Sequence, residues 1–437
     1  MKKHTQSPYE SSKVSYKPSG IKWLGEIPQS WEIKPLQAIF NQRNEQNNNL
    51  EFQTILSLVK DVGVIPYEEK GNVGNKAKDD LQGYKIARVN DLVLNKMNAV
   101  IGSLGVSKYD GLVSPIYLVL YIENPNYLIA YYSYLFQTKS IQKFLRKFAY
   151  GIMEIRESID YLEFKKMFLP TPPLQEQKEI AEFLDSKCEK IQNYIDKKQK
   201  LITLLQEKKQ ALINEVVTKG LNPNIEFKNS GIAYLGLIPH HWEVKKLKYV
   251  GKVVLGKMLC NEHQKGYSHC YYLKSKNLQW LNVEVSQIEK MWFSEYEKSL
   301  YRIKKDDLLV SEGGEVGKTC IWNNELAECY IQNSVHKITL NKFNNAKFFL
   351  YLFFTYGKLG VFDSVVSRVS IAHLVLEKLV NVDMVVPPLQ EQKQIANFLD
   401  EKCEKINSAI EKTKRQIALI KEYKNTLINE AVCGRIR

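Results

Sequence analysis

The sequence predicts an α+β fold with an internal pseudo-two-fold repeat: two globular mixed α/β domains and a pair of long antiparallel coiled-coil helices. Residues 172–217 and 387–432 are identical at 28 of 46 positions, each copy carries an apolar seam at helical spacing, and a second motif is repeated near the start of each half. The predicted divisions are therefore 1–171, with a loose tail over 1–19, then 172–219, 220–386 and 387–437.

Each long helix is predicted to begin at a Pro-Pro-Leu-Gln-Glu-Gln-Lys motif, at 172–178 and 387–393. Paired prolines suit the first turn of a helix, and the glutamates that follow complement the positive end of its dipole. Apolar residues then recur in alternating steps of four and three, which is the pattern of a coiled-coil seam. The predicted seam and partner-docking positions are Leu184, Ile191, Ile195, Ile202, Leu205, Leu212, Leu399, Ile406, Ile410, Ile417, Ile420 and Leu427.

The length of these helices predicts how they pair. A helix of about 42 residues is about 63 Å long, too long to bury its seam on a small domain, so its own duplicate is the simplest partner. The alternative is an ordinary helix pair inside one large domain, but that arrangement does not explain the duplication.

A second repeat marks the start of each half. Gly-Ile-Lys-Trp-Leu-Gly-Glu-Ile-Pro at 20–28 precedes Trp31-Glu32, and Gly-Ile-Ala-Tyr-Leu-Gly-Leu-Ile-Pro at 231–239 precedes Trp242-Glu243. Between the repeated ends, the halves diverge into short apolar runs and helical patterns near 126–136 and 346–356, which favours mixed α+β domains. If the ends build a shared scaffold, the middles carry whatever differs between two binding events.

The charge of the chain favours a polyanionic partner. The formal net charge is +14, whereas 174–217 carries eight lysines against eight acids and 389–432 carries eight bases against seven acids, so the excess lies outside the helices. A basic surface on compact domains favours nucleic acid, and next an anionic membrane. The chain has no run of about 18 apolar residues and no apolar signal core, and its seven cysteines are an odd number. We therefore expect a cytoplasmic protein without a disulfide framework.

Basic residues beside aromatic residues or on loops are the candidates for DNA contact. Lysine and arginine would contact phosphates, and side chains that offer two hydrogen bonds would read bases. Any single one is more often a solvated surface charge, so the collective excess is the better evidence. The candidates are Lys85, Arg88, Lys96, Lys108, Arg146, Lys147, Arg156, Lys274, Lys276, Arg302, Lys304, Lys318 and Arg368.

Three patterns suggest catalytic or metal chemistry, and each departs from its motif. The glycine-rich stretch 313–319 has Glu312 where a phosphate-binding loop needs glycine. Asn-Pro-Asn-Tyr at 124–127 lacks the second proline of amino-methyltransferases, so we interpret it as a turn before a helix. Cys260, His263, His269 and Cys270 match no common zinc spacing. We therefore predict no catalytic residue and no bound metal.

The repeated motifs give the chain a family resemblance. The Pro-Pro-Leu-Gln-Glu-Gln pair, the Phe-Leu-Asp triplets at 183–185 and 398–400, and Leu-Ile-Asn-Glu at 212–215 and 427–430 resemble the specificity subunit of Type I restriction–modification enzymes, which act in phage defence. The resemblance implies that each globular part is a target-recognition domain reading half of a bipartite site in double-stranded DNA. It also implies that the helices space the domains and dock two modification subunits, which bring S-adenosylmethionine and methylate adenine, while restriction and translocase subunits cut unmodified DNA.

Two alternatives belong to other classes of protein. A coiled-coil interaction protein without DNA specificity would show no salt-sensitive DNA binding, and the basic excess outside the helices argues against it. A self-sufficient DNA methyltransferase would need a cofactor loop, and no glycine-rich loop follows a clear strand ahead of residues 124–127. The bases recognised and the spacer length do not follow from the sequence.

Overall fold

The chain folds into two compact units, each built around one globular domain. The structure is a computed structural model, and it describes residues 15–60, 62–71, 80–150, 158–362 and 373–436. Unit 1 comprises residues 1–198 and 415–437, and unit 2 comprises residues 199–414. Each long helix therefore contributes one part to unit 1 and the other part to unit 2.

Unit 1 contains short strands, a few helices and part of each long helix. Its strands are β1 (Tyr16–Pro18), β2 (Glu26–Pro28), β3 (Glu32–Pro35), β4 (Asn41–Gln42), β5 (Leu56–Val59), β6 (Gly63–Pro66), β7 (Lys85–Ala87), β8 (Leu92–Asn95), β9 (Leu104–Val106), β10 (Gly111–Val113), β11 (Tyr117–Tyr121), β12 (Ala149–Tyr150), β13 (Ser158–Ile159) and β14 (Phe168–Thr171). Its helices are α1 (Ile129–Gln137), α2 (Lys139–Leu145), α3 (Tyr161–Phe164) and the first part of α4 (Leu174–Lys219), with 3-10 turns at Leu36–Ala38, Tyr67–Lys70, Ala99–Ile101 and Arg146–Phe148.

Unit 2 has a similar composition. Its strands are β15 (Phe227–Asn229), β16 (Leu237–Pro239), β17 (Glu243–Lys246), β18 (Gly251–Leu255), β19 (Ser268–Leu273), β20 (Leu278–Gln279), β21 (Asn282–Val283), β22 (Glu289–Phe293), β23 (Leu308–Ser311), β24 (Thr319–Ile321), β25 (Tyr330–Ile331), β26 (Val335–Leu340) and β27 (Asp383–Val386). Its helices are α5 (Leu247–Val250), α6 (Glu295–Tyr301), α7 (Ala346–Lys358), α8 (Leu376–Leu379) and the first part of α9 (Leu389–Val432), with a 3-10 turn at Ser275–Asn277.

Each unit contains its own copy of one four-stranded antiparallel sheet. Its strand order is β4-β11-β8-β9 in unit 1 and β18-β26-β23-β24 in unit 2. The hairpin β1-β2 returns as β15-β16, and the pair β3-β14 returns as β17-β27. Strands β8 and β23 are buried at every position, which explains their continuous apolar runs. The predicted α+β repeat is therefore confirmed.

The units differ in the strands that surround this sheet. Unit 2 has a three-stranded sheet β22-β19-β25, in which β19 and β25 run parallel, and the hairpin β20-β21. Among its described residues, unit 1 instead has the separate pairs β5-β6, β7-β10 and β12-β13. The divergence of the sequence between the repeated ends thus corresponds to different strands added to a common scaffold.

One boundary was predicted wrongly. Residues 16–18, which we expected to belong to a loose tail over 1–19, form β1 and pair with β2 from Tyr16 opposite Pro28 to Pro18 opposite Glu26. The Tyr16 hydroxyl also donates to the carbonyl of Gly434 at 3.1 Å. These bonds satisfy the backbone of a segment that composition alone marks as polar. Residues 1–14 lie outside the described residues.

The long helices run antiparallel within each unit. In unit 2 the Lys209 ammonium of α4 donates to the Asn407 side chain of α9 at 2.9 Å, and Gly220, just past α4, approaches Glu391 near the start of α9. In unit 1 the positive charge of Lys424 on α9 partly offsets the burial that raises the pKa of the Cys188 thiol on α4. The core of unit 2 includes α7 and apolar side chains of both long helices. The predicted antiparallel pairing is therefore confirmed.

Candidate nucleic-acid interface and helix platform

A buried glutamine in each Pro-Pro-Leu-Gln-Glu-Gln motif joins a long helix to the globular domain of its unit. The Gln177 carboxamide accepts the backbone N–H of Leu128, just before α1, at 2.7 Å, and donates to the first proline of its motif at 2.9 Å. Gln392 makes the same two bonds, with Asn345 just before α7 at 2.7 Å and its own first proline at 2.8 Å. Both glutamines are fully buried. The motif therefore satisfies free groups at the start of a domain helix.

The end of each long helix packs on the second repeated motif. Gly220 and Gly434 follow the two helices with φ of +76° and +74°, a left-handed conformation that favours glycine. A Cβ at Gly434 would lie 3.0 Å from the Trp31 ring, and one at Gly220 would lie 3.4 Å from the Trp242 ring. The end of α9 therefore packs on the Ile-Pro-x-x-Trp segment of the first half, and the end of α4 packs on the same segment of the second half.

The Phe-Leu-Asp motifs hold a tyrosine of the domain helix. The Tyr134 hydroxyl of α1 donates to Asp185 at 2.6 Å, and the Tyr351 hydroxyl of α7 donates to Asp400 at 2.8 Å. Burial, more than the neighbouring carboxylate, raises the pKa of both tyrosines, so both remain neutral donors. The motifs that carry the family resemblance thus fix helices to domains.

The predicted seam lies mostly inside the chain. Eight of its members are buried, namely Leu184, Ile191, Ile195, Ile202, Leu399, Ile410, Ile417 and Leu427, and the other four, Leu205, Leu212, Ile406 and Ile420, are partly buried. Side chains exposed elsewhere on the helices are better placed to contact a partner. Leu204 and Leu419 stand 215 residues apart, the spacing of the helix repeat, and are 50% and 65% exposed. This duplicated pair outside the seam was visible in the sequence, but we did not select it.

Several predicted DNA-binding cations form ion pairs within the chain. The pairs are Arg88 with Glu45 (2.7 Å), Lys274 and Lys276 with Glu289 (2.6 and 2.9 Å), and Lys318 with Glu315 (2.9 Å). Hydrogen bonds from the two lysines are the main cause that lowers the pKa of Glu289 to about 2. The Lys85 ammonium donates to the Tyr117 carbonyl at 2.9 Å, and burial lowers its pKa. Each of these cations therefore already bonds to a carboxylate or carbonyl of the chain itself.

Other candidates face solvent. Within the described ranges, the ammonium groups of Lys96, Lys108 and Lys304 have no ion pair or hydrogen bond, and the latter two residues are exposed. The remaining described candidates are Arg146, which is exposed, Lys147, whose ammonium lies 4.9 Å from the Phe144 ring centroid, and Arg302, which donates to the Ala327 carbonyl at 3.4 Å. The predicted Arg156 and Arg368 lie outside the described residues.

An aromatic and basic surface on the three-stranded sheet was not among the predicted DNA contacts. Strand pairing places His269 opposite Trp292 and Tyr271 opposite Lys290. The His269 ring stacks on Trp292 at 4.7 Å, and the Lys290 ammonium lies 4.3 Å from the Tyr271 ring centroid. Such rings stack on bases while neighbouring cations contact phosphates. Burial alternates over 268–271, so His269 and Tyr271 lie on the exposed face of β19.

Comparison with known proteins identifies the family. A family model described as Type I restriction modification DNA specificity domain matches residues 28–206 and 239–419. The chain belongs to this specificity-domain family. The two matched segments correspond to the two halves of the repeat.

Relatives and solved structures agree with this assignment. A putative type I restriction enzyme MjaX specificity subunit from Methanocaldococcus jannaschii is 26% identical over 433 residues, covering 95% of both chains. A solved chain from a study of type I restriction–modification assembly and conformational transition has a TM-score of 0.72 at 15% identity, with 94% of this chain and 99% of that chain covered. The HsdS subunit of Thermoanaerobacter tengcongensis gives 0.53 at 15% identity, with 94% and 98% covered.

Membership of the specificity-domain family confirms two predictions from the sequence. The resemblance to a Type I specificity subunit is confirmed, and so is the function of sequence-specific DNA recognition in a Type I system. Other subunits of such a system are its expected partners. No helix in the described part of the chain has the length and apolar character to cross a membrane.

Side chains of the glycine-rich loop and of the cysteine–histidine segment contact neighbouring residues of this specificity domain. Lys318 pairs with Glu315, which also accepts the Trp280 indole N–H, so the loop is held by an ion pair of its own and by a bond from Trp280. His263 and His269 both contact the Trp292 ring. Within the described ranges, no group of three or more metal-binding side chains comes together.

Proposed function

We propose that the chain is the subunit of a Type I restriction–modification complex that reads a bipartite site in double-stranded DNA, with one half-site read by each globular domain. The observation that carries this proposal is one scaffold used twice with different additions. The two units share sheet order, helix junctions and entry motif, yet differ in the strands that surround the shared sheet. A scaffold that repeats while its surface changes suits two related binding events with different base sequences.

The same proposal assigns partners and excludes chemistry from this chain. Two modification subunits would dock on the long helices and bring S-adenosylmethionine for adenine methylation, and restriction and translocase subunits would join them in the cytoplasm. This chain would hold no cofactor and perform no catalytic step. The exposed leucines Leu204 and Leu419, one on each long helix, support two equivalent docking positions.

Methylome sequencing tests the bipartite site. The chain is co-expressed with the modification subunit of its system in a methylation-free host, and modified adenines are mapped. We expect two short half-sites separated by unspecified bases. A continuous motif, or methylation without sequence preference, would reject the proposal, and methyl transfer by the purified chain alone would revive the self-sufficient methyltransferase.

Domain exchange tests which unit reads which half-site. Replacing residues 37–170 by the matching part of another specificity domain should change one half-site, and replacing residues 248–385 should change the other. Each exchange is the matched control for the other, because the shared entry motifs and long helices stay intact. Adding one heptad to both long helices should widen the unspecified spacer or abolish activity.

The aromatic and basic surface provides a local test of DNA contact. Lys290→Ala should weaken DNA binding and reduce the salt dependence by about one released counterion, if its ammonium contacts one phosphate. Tyr271→Ala should weaken binding with little change in salt dependence, because stacking is not ionic. Lys405→Ala removes a cation that pairs with Glu401 on α9, and it should leave both quantities unchanged.

A further inference from the structure

Two neighbouring apolar side chains are exposed in the loop between β18 and β19 of unit 2. Met258 is 76% exposed and Leu259 is 51% exposed. Neither side chain therefore contributes to the core of the domain. Single exposed apolar residues are common, but an adjacent pair on a fixed backbone is a candidate contact for a partner.

The loop holds this pair between two fixed points. Before the pair, Lys257 donates its backbone N–H to the Ile331 carbonyl at 3.1 Å and its ammonium to the Trp292 carbonyl at 2.9 Å. After the pair, the Cys260 carbonyl accepts the Trp292 backbone N–H at 3.0 Å. Both backbone groups of Trp292 thus bond to residues that flank the pair, at the edge of β22 that does not pair with β19. The exposed side chains therefore extend from a backbone that is held at each end.

The same loop also contacts the aromatic and basic surface of the three-stranded sheet. The His263 ring meets the Trp292 ring edge-on at 4.6 Å, and the His269 ring stacks on that ring at 4.7 Å. Trp292 is thus bonded through its backbone to the loop and through its ring to two histidines. The exposed pair therefore borders the surface that is a candidate for DNA contact.

Cations accompany the pair on both the loop and the strand. The loop, residues 256–267, contains one acid, Glu262, and its Lys265 is exposed and has no ion pair among the described residues. Lys290 adds a cation on β22, two residues before Trp292. The Lys257 ammonium pairs with Glu297 and adds no net charge. An apolar tip near cations suits a duplex, whose phosphates lie on either side of each base step.

The small size of the pair argues for DNA and against a protein partner. Each side of a standard protein interface buries about 800 Å², which two side chains cannot supply. A wedge between base pairs needs only one or two apolar side chains, and methionine and leucine are among those that proteins insert.

We propose that Met258 and Leu259 form an apolar wedge that enters the DNA at one base step of the half-site read by unit 2. Pyrimidine–purine steps unstack most easily. Unit 2 therefore selects part of its half-site by how readily one step deforms, in addition to the bases that it contacts directly. The inference rests on the proposed function, because it requires unit 2 to bind DNA.

Fluorescence of aminopurine, an adenine analogue that brightens when it is unstacked, tests the wedge. The full-length chain is assembled with its modification subunit and bound to duplexes that carry the analogue at successive positions of this half-site, the methylated adenines excepted. We expect the fluorescence to rise at one step for the wild type. Met258→Ala and Leu259→Ala should each reduce that rise and weaken binding roughly tenfold, because each removes apolar area that is buried in the duplex. The salt dependence of binding should stay unchanged, since these side chains release no counterion.

A duplex with a mismatch at the same step gives a second measurement. Its stacking is already weakened, so the wild type should bind it more tightly than the matched duplex. The two alanine variants should gain less from the mismatch, because they do not unstack the step.

Leu237→Ala is the matched control. Leu237 is 57% exposed on β16, in a hairpin of the shared scaffold, so its removal should change neither the fluorescence nor the affinity. Leu259→Met keeps an apolar side chain of similar size and should keep both.

The inference is overturned if the wild type binds its site without a rise in fluorescence at any step, or if the alanine variants behave as the wild type does. It is also overturned if those variants lose binding of the modification subunit but keep the unstacking, which would make the pair a protein contact. A wild-type complex that shows no sequence preference would reject the proposed function as well, and the wild type alone would reveal that result.

Discussion

The two units bury an aspartate at the same point of the shared sheet but satisfy it differently. Asp91, just before β8, receives two bonds from the Arg43 guanidinium at 2.7 and 3.1 Å. Asp307, just before β23, receives the Thr339 hydroxyl in place of a guanidinium, and burial raises its pKa. Both aspartates also accept the backbone N–H three residues earlier, from Arg88 and from Lys304, at 2.8 Å each. The duplication preserved the position of the carboxyl group in the sheet while its partner changed. The scaffold therefore depends on the acid, whereas the neighbouring side chains were free to diverge.

The largest expected effect comes from removing the arginine in unit 1. Arg43→Met would leave Asp91, which is 1% exposed, as a buried carboxylate without its cation. Breaking a buried ion pair on one side costs about 3–5 kcal/mol. We expect this loss in the stability of unit 1, measured by hydrogen exchange of the β8 and β11 amides under native conditions.

Thr339→Val is the matched change in unit 2. It removes one neutral donor from Asp307, so we expect a loss of about 1–3 kcal/mol, seen in the exchange of β23 and β26. If the two variants destabilise their units equally, the arginine is not the main partner of Asp91, and the contrast between the units fails.

The sequence predicted the parts of this fold that depend on local pattern. Helix α4 was expected to begin after two prolines and to run to residue 219, and it spans Leu174–Lys219. The pairing of Arg43 with Asp91 was not predictable, because 48 residues separate them and both lie in a divergent segment. The apolar seam residues are buried or partly buried in the folded chain, whereas the exposure of Leu204 and Leu419 follows only from the fold.

The candidate site was harder to predict than the scaffold for a physical reason. A basic residue beside an aromatic residue in sequence does not show whether a carboxylate faces it in space. The Glu289 carboxylate accepts hydrogen bonds from both Lys274 and Lys276, which lie 15 and 13 residues before it. In contrast, Lys290 and Tyr271 become neighbours only through the pairing of β19 with β22.

The buried glutamines of the two units, unlike the aspartates, should behave alike. Gln177→Leu and Gln392→Leu each leave a helix-entry N–H and a proline carbonyl without the partner that the glutamine supplies. We expect each to cost about 1–3 kcal/mol in its own unit, since the lost bonds match to within 0.1 Å. Urea unfolding followed by hydrogen exchange measures both. A loss in only one unit would mean that the junctions are not equivalent.

A smaller difference is expected at the glutamate of the same motif. Glu176 accepts the Trp31 indole N–H at 2.8 Å, whereas Glu391 lies 2.7 Å from the ring of His241 and the Trp242 indole N–H has no partner among the described residues. Glu176→Ala should therefore cost about 1–2 kcal/mol by leaving a buried donor unpaired. Glu391→Ala should cost less than about 1 kcal/mol, because it removes only a partly exposed contact. Denaturant unfolding of both variants checks the order, and a larger loss for Glu391→Ala would reverse it.

The smallest expected effect is a pH dependence that arises from Glu289 in unit 2. The pKa of Glu289 falls from 4.5 to about 2 in the folded chain, chiefly through hydrogen bonds from Lys274 and Lys276. Since the folded state holds its proton less tightly than the unfolded state, this stabilisation is present above about pH 4.5 and is lost as pH falls towards 2. The melting temperature of Glu289→Gln should thus lie slightly below that of the wild type at pH 6, and the two should converge near pH 2. Glu243→Gln should show the same sign, because Lys245 lowers the pKa of Glu243. A difference for Glu289→Gln that persisted unchanged at pH 2 would mean that the ion pair does not stabilise the sheet.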